Sequence, residues 1–416
     1  MKTSDLEIRF CKKILGALSL LSFSLLILLQ SCKATDLHIT AKAGGVYMLP
    51  ATLSDTHIII TGRGSSSQPF VINGVSGKTE LRGDSYIRIM GDYIIVNKVS
   101  FINNNINFLS SQALMEVGTK KQLSNHVTIR DCSFNYTGQF NDLDKASQFY
   151  WILISGKGDL VDNCVFEGKQ NRLPVIHVNA FNWDGDSNII SNCTFQNVKP
   201  RVGEALEAIR VGLGNARSNC RILNNKFINY AGDSETISCK SNGVTIASNY
   251  FKDCRSGVSL RLSDSSIIEN NRFVNTTWPV RISGIGHTIT KNVFDSPTSS
   301  ITFMTGGANC VYKAVNGINI NDNVFVGKII LKVLRSGKCD VAPVGLNVQN
   351  NYLYTNSLFK ITDADFNATL RTTPSSEKLR SDGVREMEFG VKNIAPSTEA
   401  SPLEKVTTYL KQKTNQ

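Results

Sequence analysis

A triplet that recurs at a coil-sized interval constrains this chain most: Cys or Asn, any residue, then Phe. It stands at Cys132-Ser133-Phe134, Cys164-Val165-Phe166, Cys193-Thr194-Phe195, Asn225-Lys226-Phe227, Asn249-Tyr250-Phe251, Asn271-Arg272-Phe273, Asn292-Val293-Phe294 and Asn323-Val324-Phe325. Val99-Ser100-Phe101 and Asn351-Tyr352-Leu353 are its frayed ends. From Phe101 to Leu353 the successive intervals are 33, 32, 29, 32, 24, 22, 21, 31 and 28 residues. Self-similarity at periods of about 20 to 50 residues marks a solenoid.

Short β-rich pieces such as residues 126–130 and 187–190 surround the repeat, punctuated by Asn, Asp and Gly, and no helical periodicity is sustained. Short strands between turn signals, once per coil, describe an all-β, single-stranded right-handed parallel β-helix. Coils stack at about the 4.8 Å strand spacing, so equivalent residues form ladders along the axis. Phe on Phe fills the interior, and Asn on Asn satisfies buried polar groups at a corner. Cys132, Cys164 and Cys193 take the Asn position as small apolar packing residues. Cys310 and Cys339 are candidates for a disulfide. The β-helix is expected over residues 32–365, with 366–416 as a C-terminal cap or tail.

Residues 1–31 have the form of a secretory signal: Lys12 and Lys13, an apolar run from Ile14 to Leu29, then Ser31 and Cys32. The run is short for a membrane span. Cys after Leu-x-Ser resembles a bacterial lipobox, which makes Cys32 the expected lipidation site. An exported protein anchored by lipid to the bacterial outer membrane, on its periplasmic or outer surface, follows from that reading, with no other membrane contact. A monomer is expected. Net charge is +11; the leader carries Lys2, Arg9, Lys12 and Lys13 against Asp5 and Glu7, so 11 − 2 = +9 remains without it. A basic surface favours an anionic partner. Aromatic content is 8%, much of it in the Phe ladder, which argues against a base-stacking nucleic-acid surface. No HExxH, GxSxG or P-loop pattern occurs.

Function on a β-helix sits on an outer face. Three neighbouring coils carry a dense set of charges: Glu204, Glu207 and Arg210 on the first, Asp233, Glu235 and Lys240 on the second, Arg261 on the third. Lys240 lies 9 residues before its ladder Asn249, Arg261 lies 10 before Asn271 and Arg281 lies 11 before Asn292. Similar offsets give similar azimuths on successive coils. Asp233 and Glu235, two apart, share a face if on a strand. Singly, each is more often a solvated charge than a catalytic one; aligned charges of both signs point to a site.

At these residues the sequence resembles polysaccharide lyase family 6, the family of chondroitinase B and many alginate lyases. The resemblance runs from about Gly62 to Leu353. Residues 68–72 and 85–96 look like its opening coils, Gly156-Lys157 and Phe166-Glu167-Gly168-Lys169 like its glycine-lysine and FEGK segments, and residues 280–288 like another of its motifs. The resemblance implies that Lys240 is the catalytic base, Arg261 its partner on the next coil, and Asp233 and Glu235 ligands of a Ca²⁺ cofactor. Three departures stand out. Asp233 occupies a usual Glu position. Glu204 or Glu207 stands in the segment where the family has a third ligand, an Asn, so Glu204 is the candidate there. Leu262 and Ser263 follow Arg261 where His and Gly are usual.

The expected activity is β-elimination on a uronate-containing acidic polysaccharide. Ca²⁺ would neutralise the uronate carboxylate, and a neutral Lys240 would take the C5 proton. Arg261, always protonated, would stabilise charge, and Arg210 and Arg281 are candidates to grip neighbouring carboxylates. Alginate is the expected substrate. Dermatan-type chondroitin sulfate and a non-catalytic polysaccharide-binding role are the alternatives. A pectin-type hydrolase ranks below them, because Asp184 and Asp186 have no matching third carboxylate.

Overall fold

The computed structural model describes residues 34–75, 78–106, 111–137, 148–180, 185–200, 205–214, 216–307, 310–353 and 358–361. Among these every named element is a strand. Each coil runs through three faces. Ile237–Cys239 lies on the first, Thr245–Ala247 on the second and Tyr250–Lys252 on the third; Ser256–Leu260 then opens the next coil on the first face. Every strand pairs in parallel with its equivalents one coil before and after, as in Ile237↔Val258 and Phe251↔Phe273. The second face is a separate 12-stranded sheet. The first and third merge into one 23-stranded sheet because Val293–Met304 and Val324–Leu334 run unbroken around the corner between them. The architecture is a parallel β-helix, as the repeat implies.

The repeated triplet is the turn from the second face into the third. The residue before it takes a left-handed conformation at Asp131, Asn163, Asn192, Asn224, Asn270, Asp322 and Asn350, with φ between 50° and 57°. Asn and Asp tolerate this region better than other residues with a Cβ, which explains the polar punctuation. In the triplet itself, Asn225, Asn249, Asn271, Asn292 and Asn323 each donate from Nδ2 to Oδ1 of the next Asn at 2.9–3.0 Å. Each backbone N–H uses the same acceptor. The ladder thereby satisfies donors that have no water to turn to. Cys132, Cys164 and Cys193 continue the column as buried free thiols, and Cys193 N–H joins it to Asn225 Oδ1 at 2.9 Å.

The Phe residues form one continuous stack from Phe101 to Phe325, with neighbouring centroids 4.6–5.2 Å apart. The column extends further back than the Phe pattern, through Leu81 to Leu53. Residues 35–41 form a first coil strand paired with residues 56–62. The Cys310–Cys339 disulfide forms. In the Phe166–Lys169 segment, Lys169 is buried and donates to Asn171 O, Asn171 Oδ1 and Arg172 O. That motif lysine is a structural clamp on its loop. The leader, Cys32 and residues 366–416 lie outside the described residues.

Truncating one stacked ring leaves a cavity that neighbours fixed by register cannot fill. Phe227→Ala should destabilise the β-helix by about 3–5 kcal/mol, read as a lowered urea midpoint. A loss below about 1 kcal/mol would mean that the stack is not close-packed.

Candidate active site

On the first face the strand alternation decides which side chains emerge. Ile209 and Val211, Ile237 and Cys239, Val258 and Leu260, and Val280 and Ile282 point into the core at 0–1% exposure. The residues between them, Arg210, Ser238, Ser259 and Arg281, are register partners in one outward row. Lys240 and Arg261 each follow a strand whose last residues, Cys239 and Leu260, are register partners. Their backbones hold that position, Lys240 N–H on Val211 O at 2.7 Å and Arg261 N–H on Cys239 O at 3.0 Å. The two are thus side by side on adjacent coils. Glu207 and Glu235 each stand two residues before the inward Ile209 and Ile237 and occupy equivalent places on adjacent coils.

The charges form one network. Arg210 grips Glu207 with a two-pronged contact, Nε and Nη2 at 2.9 and 2.7 Å. Lys240 Nζ lies 3.9 Å from Glu207 Oε1. Glu235 Oε1 accepts from Arg281 Nη2 at 2.9 Å and has Arg261 Nη1 at 3.7 Å. Its other oxygen accepts from Ser238 Oγ. Arg281 Nη2 also reaches Ser234 O at 3.1 Å. The side chains of Glu207 and Glu235 are only 3% exposed, whereas those of Lys240, Arg261 and Arg281 are 13%, 22% and 20% exposed. Carboxylates form the floor and cations the surface.

Burial pushes Lys240 below its ordinary range, with Arg210 and Arg261 adding to the push and Glu207 and Glu235 opposing it. Burial pushes Glu207 up, against the pull of Arg210. One outward position before Arg210 stands His177, whose pKa falls to about 3 through burial, then Arg210 and Lys240. His177 is therefore neutral at physiological pH. It stacks on Tyr150 at 5.2 Å, and neither ring nitrogen has a hydrogen-bond partner among the described residues. Arg261 lies 5.7 Å from the ring centre of Tyr312, on the segment tied down by the Cys310–Cys339 bridge. Beside it Lys313 pairs with Asp264 at 2.6 Å.

A Chondroitinase B family model matches residues 33–372. The chain belongs to the chondroitinase B family. It is therefore a polysaccharide lyase. No curated protein matches it. Solved structures that share its fold include three lyases. A mannuronic acid specific polysaccharide family 6 lyase from human gut microbiota matches at TM-score 0.68 and 20% identity over 80% of this chain and 83% of that one. The family 6 alginate lyase AlyGC matches at 0.68 and 20%, over 82% of this chain, which spans about half (53%) of AlyGC. The family 6 lyase Pedsa3628 from Pseudopedobacter saltans matches at 0.55 and 18%, over 79% and 92%.

Against the chondroitinase B family pattern, the structure brings Lys240, Arg261, Glu235, Arg281 and Arg210 together but does not assemble the expected calcium set. Asp233 turns away to clamp the preceding loop, its Oδ2 accepting Ala205 N–H at 2.5 Å and Leu206 N–H at 3.2 Å. Glu235 is engaged by two guanidinium groups and a hydroxyl. Glu204 lies outside the described residues. Among the described residues no three His, Cys, Asp or Glu side chains group to hold a metal. Ca²⁺ takes six to eight oxygens at about 2.3–2.6 Å, and the described part of this donor set, Asp233 and Glu235 with their oxygens already engaged, does not fit it. Arg210 belongs to the same charged network. Its fork is closed on Glu207, so it positions that carboxylate rather than presenting an open fork. Asp184 lies outside the described residues, and Asp186 is buried against Ser218 Oγ at 2.5 Å. The sequence reading missed His177, Tyr150 and Tyr312. The outward register His177–Arg210 is the signal that finds the first, and it needs strand boundaries to read.

Lys240 should titrate below about 10.4, the ordinary lysine value, in NMR spectra of the reductively ¹³C-methylated protein. Glu207→Gln removes the nearest negative charge and should move that titration further down. An ordinary lysine titration, unchanged by Glu207→Gln, would contradict the electrostatics described here.

Proposed function

We propose that this lyase cleaves alginate by β-elimination at the first face, with Lys240 as base and Arg261 as its charge-stabilising partner. One observation carries the reading: a half-desolvated lysine with a lowered pKa stands beside an arginine on the adjacent coil, above a floor of buried carboxylates. The fold neighbours that act on mannuronic acid polymers and alginate favour the uronate substrate, as does the net charge, which is 11 − 2 = +9 without the leader. Dermatan-type chondroitin sulfate is the second substrate, favoured by the name of the family model.

The chemistry follows from the residues. The C5 proton of a uronate becomes acidic enough to remove only when its carboxylate is neutralised by a nearby positive charge. Lys240, whose proton is disfavoured by burial and by Arg210 and Arg261, takes that proton in its neutral form. The C5–H electrons form the C4=C5 double bond as the C4–O4 bond breaks. The departing oxygen receives a proton from the Lys240 ammonium or from water. Arg261 keeps its charge throughout and stabilises the negative charge that develops between C5 and O4. Arg281 is the candidate for gripping the uronate carboxylate. Its contacts among the described residues all use Nη2, which leaves its Nη1 edge for substrate. Ordinary lyase sites of this kind need base and cation within one sugar ring, the reach of adjacent coils at about 4.8 Å.

The leader belongs to the same proposal. Residues 1–31 direct export and Cys32 carries the lipid, which puts a monomeric enzyme at the bacterial outer membrane, on its periplasmic or outer surface.

Lys240→Ala should lower turnover on alginate by about 10²–10⁴ with the fold retained by circular dichroism, and Arg261→Ala should lose comparably. Lys157→Ala, exposed on another part of the coil, is the control and should change the rate less than about twofold. Retention of more than about a tenth of the wild-type rate by Lys240→Ala would remove Lys240 from the base role.

A further inference from the structure

We infer that this active face works without a divalent cation, its carboxylate-neutralising charge being the guanidinium pair Arg281 and Arg261 held on Glu235. The inference deepens the lyase reading above and rests on it for the identity of the carboxylate.

Glu235 is a buried carboxylate to which the family resemblance would give a calcium ion. Each of its oxygens is already engaged. Oε1 lies between Arg281 Nη2 at 2.9 Å and Arg261 Nη1 at 3.7 Å, and Oε2 accepts from Ser238 Oγ. Among the described residues, the other candidate oxygens are no freer. Asp233 Oδ2 holds two backbone N–H groups and Oδ1 accepts from Ser234 Oγ. Ser234 O, a carbonyl that would suit a hard cation, accepts from the same Arg281 Nη2. A Ca²⁺ ion placed on Glu235 would lose these ligands to fixed donors and would face two permanent positive charges at close range. Those charges cannot titrate away, because a guanidinium stays protonated at any working pH.

The outward row explains how Arg281 reaches this position. Arg281 lies two coils beyond Ser238, with only Ser259 between them in register. Ser259 is short and buried, so the arginine passes over it and lays its head on Glu235, 46 residues away in sequence. A larger outward residue at 259 would block the path. The result is a positive group anchored by a buried carboxylate and still 20% exposed. A guanidinium can meet a sugar carboxylate edge-on through two parallel N–H donors. It therefore supplies the neutralising charge that a bound metal would otherwise provide, without asking the site for six or more oxygen ligands.

The test uses the full-length chain, stripped with EDTA and dialysed into metal-free buffer. Calcium chloride titrated into it by calorimetry should give no saturable heat up to millimolar concentration, and its melting temperature should not move with added Ca²⁺. Turnover on alginate should be the same within about twofold in EDTA and in Ca²⁺. Arg281→Ala should raise KM and lower kcat, together reducing kcat/KM by about 100-fold, with Arg281→Lys recovering part of the loss, because charge returns without the fork. Saturable micromolar Ca²⁺ binding, or turnover lost in EDTA and restored by Ca²⁺ alone, overturns the inference while leaving the lyase reading intact. Full activity in a folded Arg281→Ala also overturns it. If no uronate polymer is cleaved under any condition, the lyase reading fails, and the calorimetric titration alone decides whether a divalent cation is held.

Discussion

The parallel strand register places everything else in this molecule. Because each coil pairs with the next in parallel, a side chain chosen at one azimuth finds its equivalent about 4.8 Å away. Inside, that rule makes the Phe stack and the Asn ladder, where identical groups satisfy one another. Outside, the same rule sets Lys240 against Arg261 and Glu207 against Glu235. The proposed catalytic pair, separated by 21 residues of sequence, therefore needs no long-range device to bring it together. One slip in register would send the outward row into the core, which makes the close-packed interior the guarantor of the site's geometry.

The electrostatics of the first face follow from the burial order. Two nearly buried glutamates would be unstable as anions without partners. Arg210 and Arg281 supply them, the first closed on Glu207 and the second bridging back to Glu235. Arg210 and Arg261 in turn disfavour a proton on Lys240, already driven down by desolvation, while Glu207 and Glu235 favour one. Thus one network does two things: it makes buried carboxylates tolerable and, through its arginines, adds to the burial that lowers the lysine pKa. The linkage has a definite sign. A lysine with a depressed folded pKa binds fewer protons folded than unfolded, so its stabilising effect is present above its unfolded pKa and is lost as pH falls through its folded pKa.

Much of this was legible in the sequence, and the limits are physical. The triplet specified the coil, since only a stacked fold asks for Phe at one azimuth eight times, each two residues after an Asn or a Cys. Offsets to the ladder residue were enough to align Lys240 with Arg261, because chain length between two points on one coil is nearly fixed. Offsets say nothing about where a flexible head goes. Asp233 and Glu235 are two apart, yet one closes a loop through Ala205 and Leu206 and the other anchors two arginines. Arg281 spans two coils, a reach that depends on the small Ser259 between. The Tyr312 segment meets Arg261 only through a disulfide-tied insertion. His177 emerges only after strand boundaries reveal it as the neighbour of Arg210.

The central claim is that the first face breaks a glycosidic link by elimination and not by hydrolysis. It is tested most directly by incubating the protein with alginate, dermatan sulfate and pectate in turn while counting new reducing ends and new unsaturated uronate ends in the same sample. Elimination creates one of each per cut, so on a uronate polymer the account predicts that the two rise in equal proportion. New reducing ends without the ultraviolet absorbance of the double bond would mean that water is the nucleophile, and would contradict it.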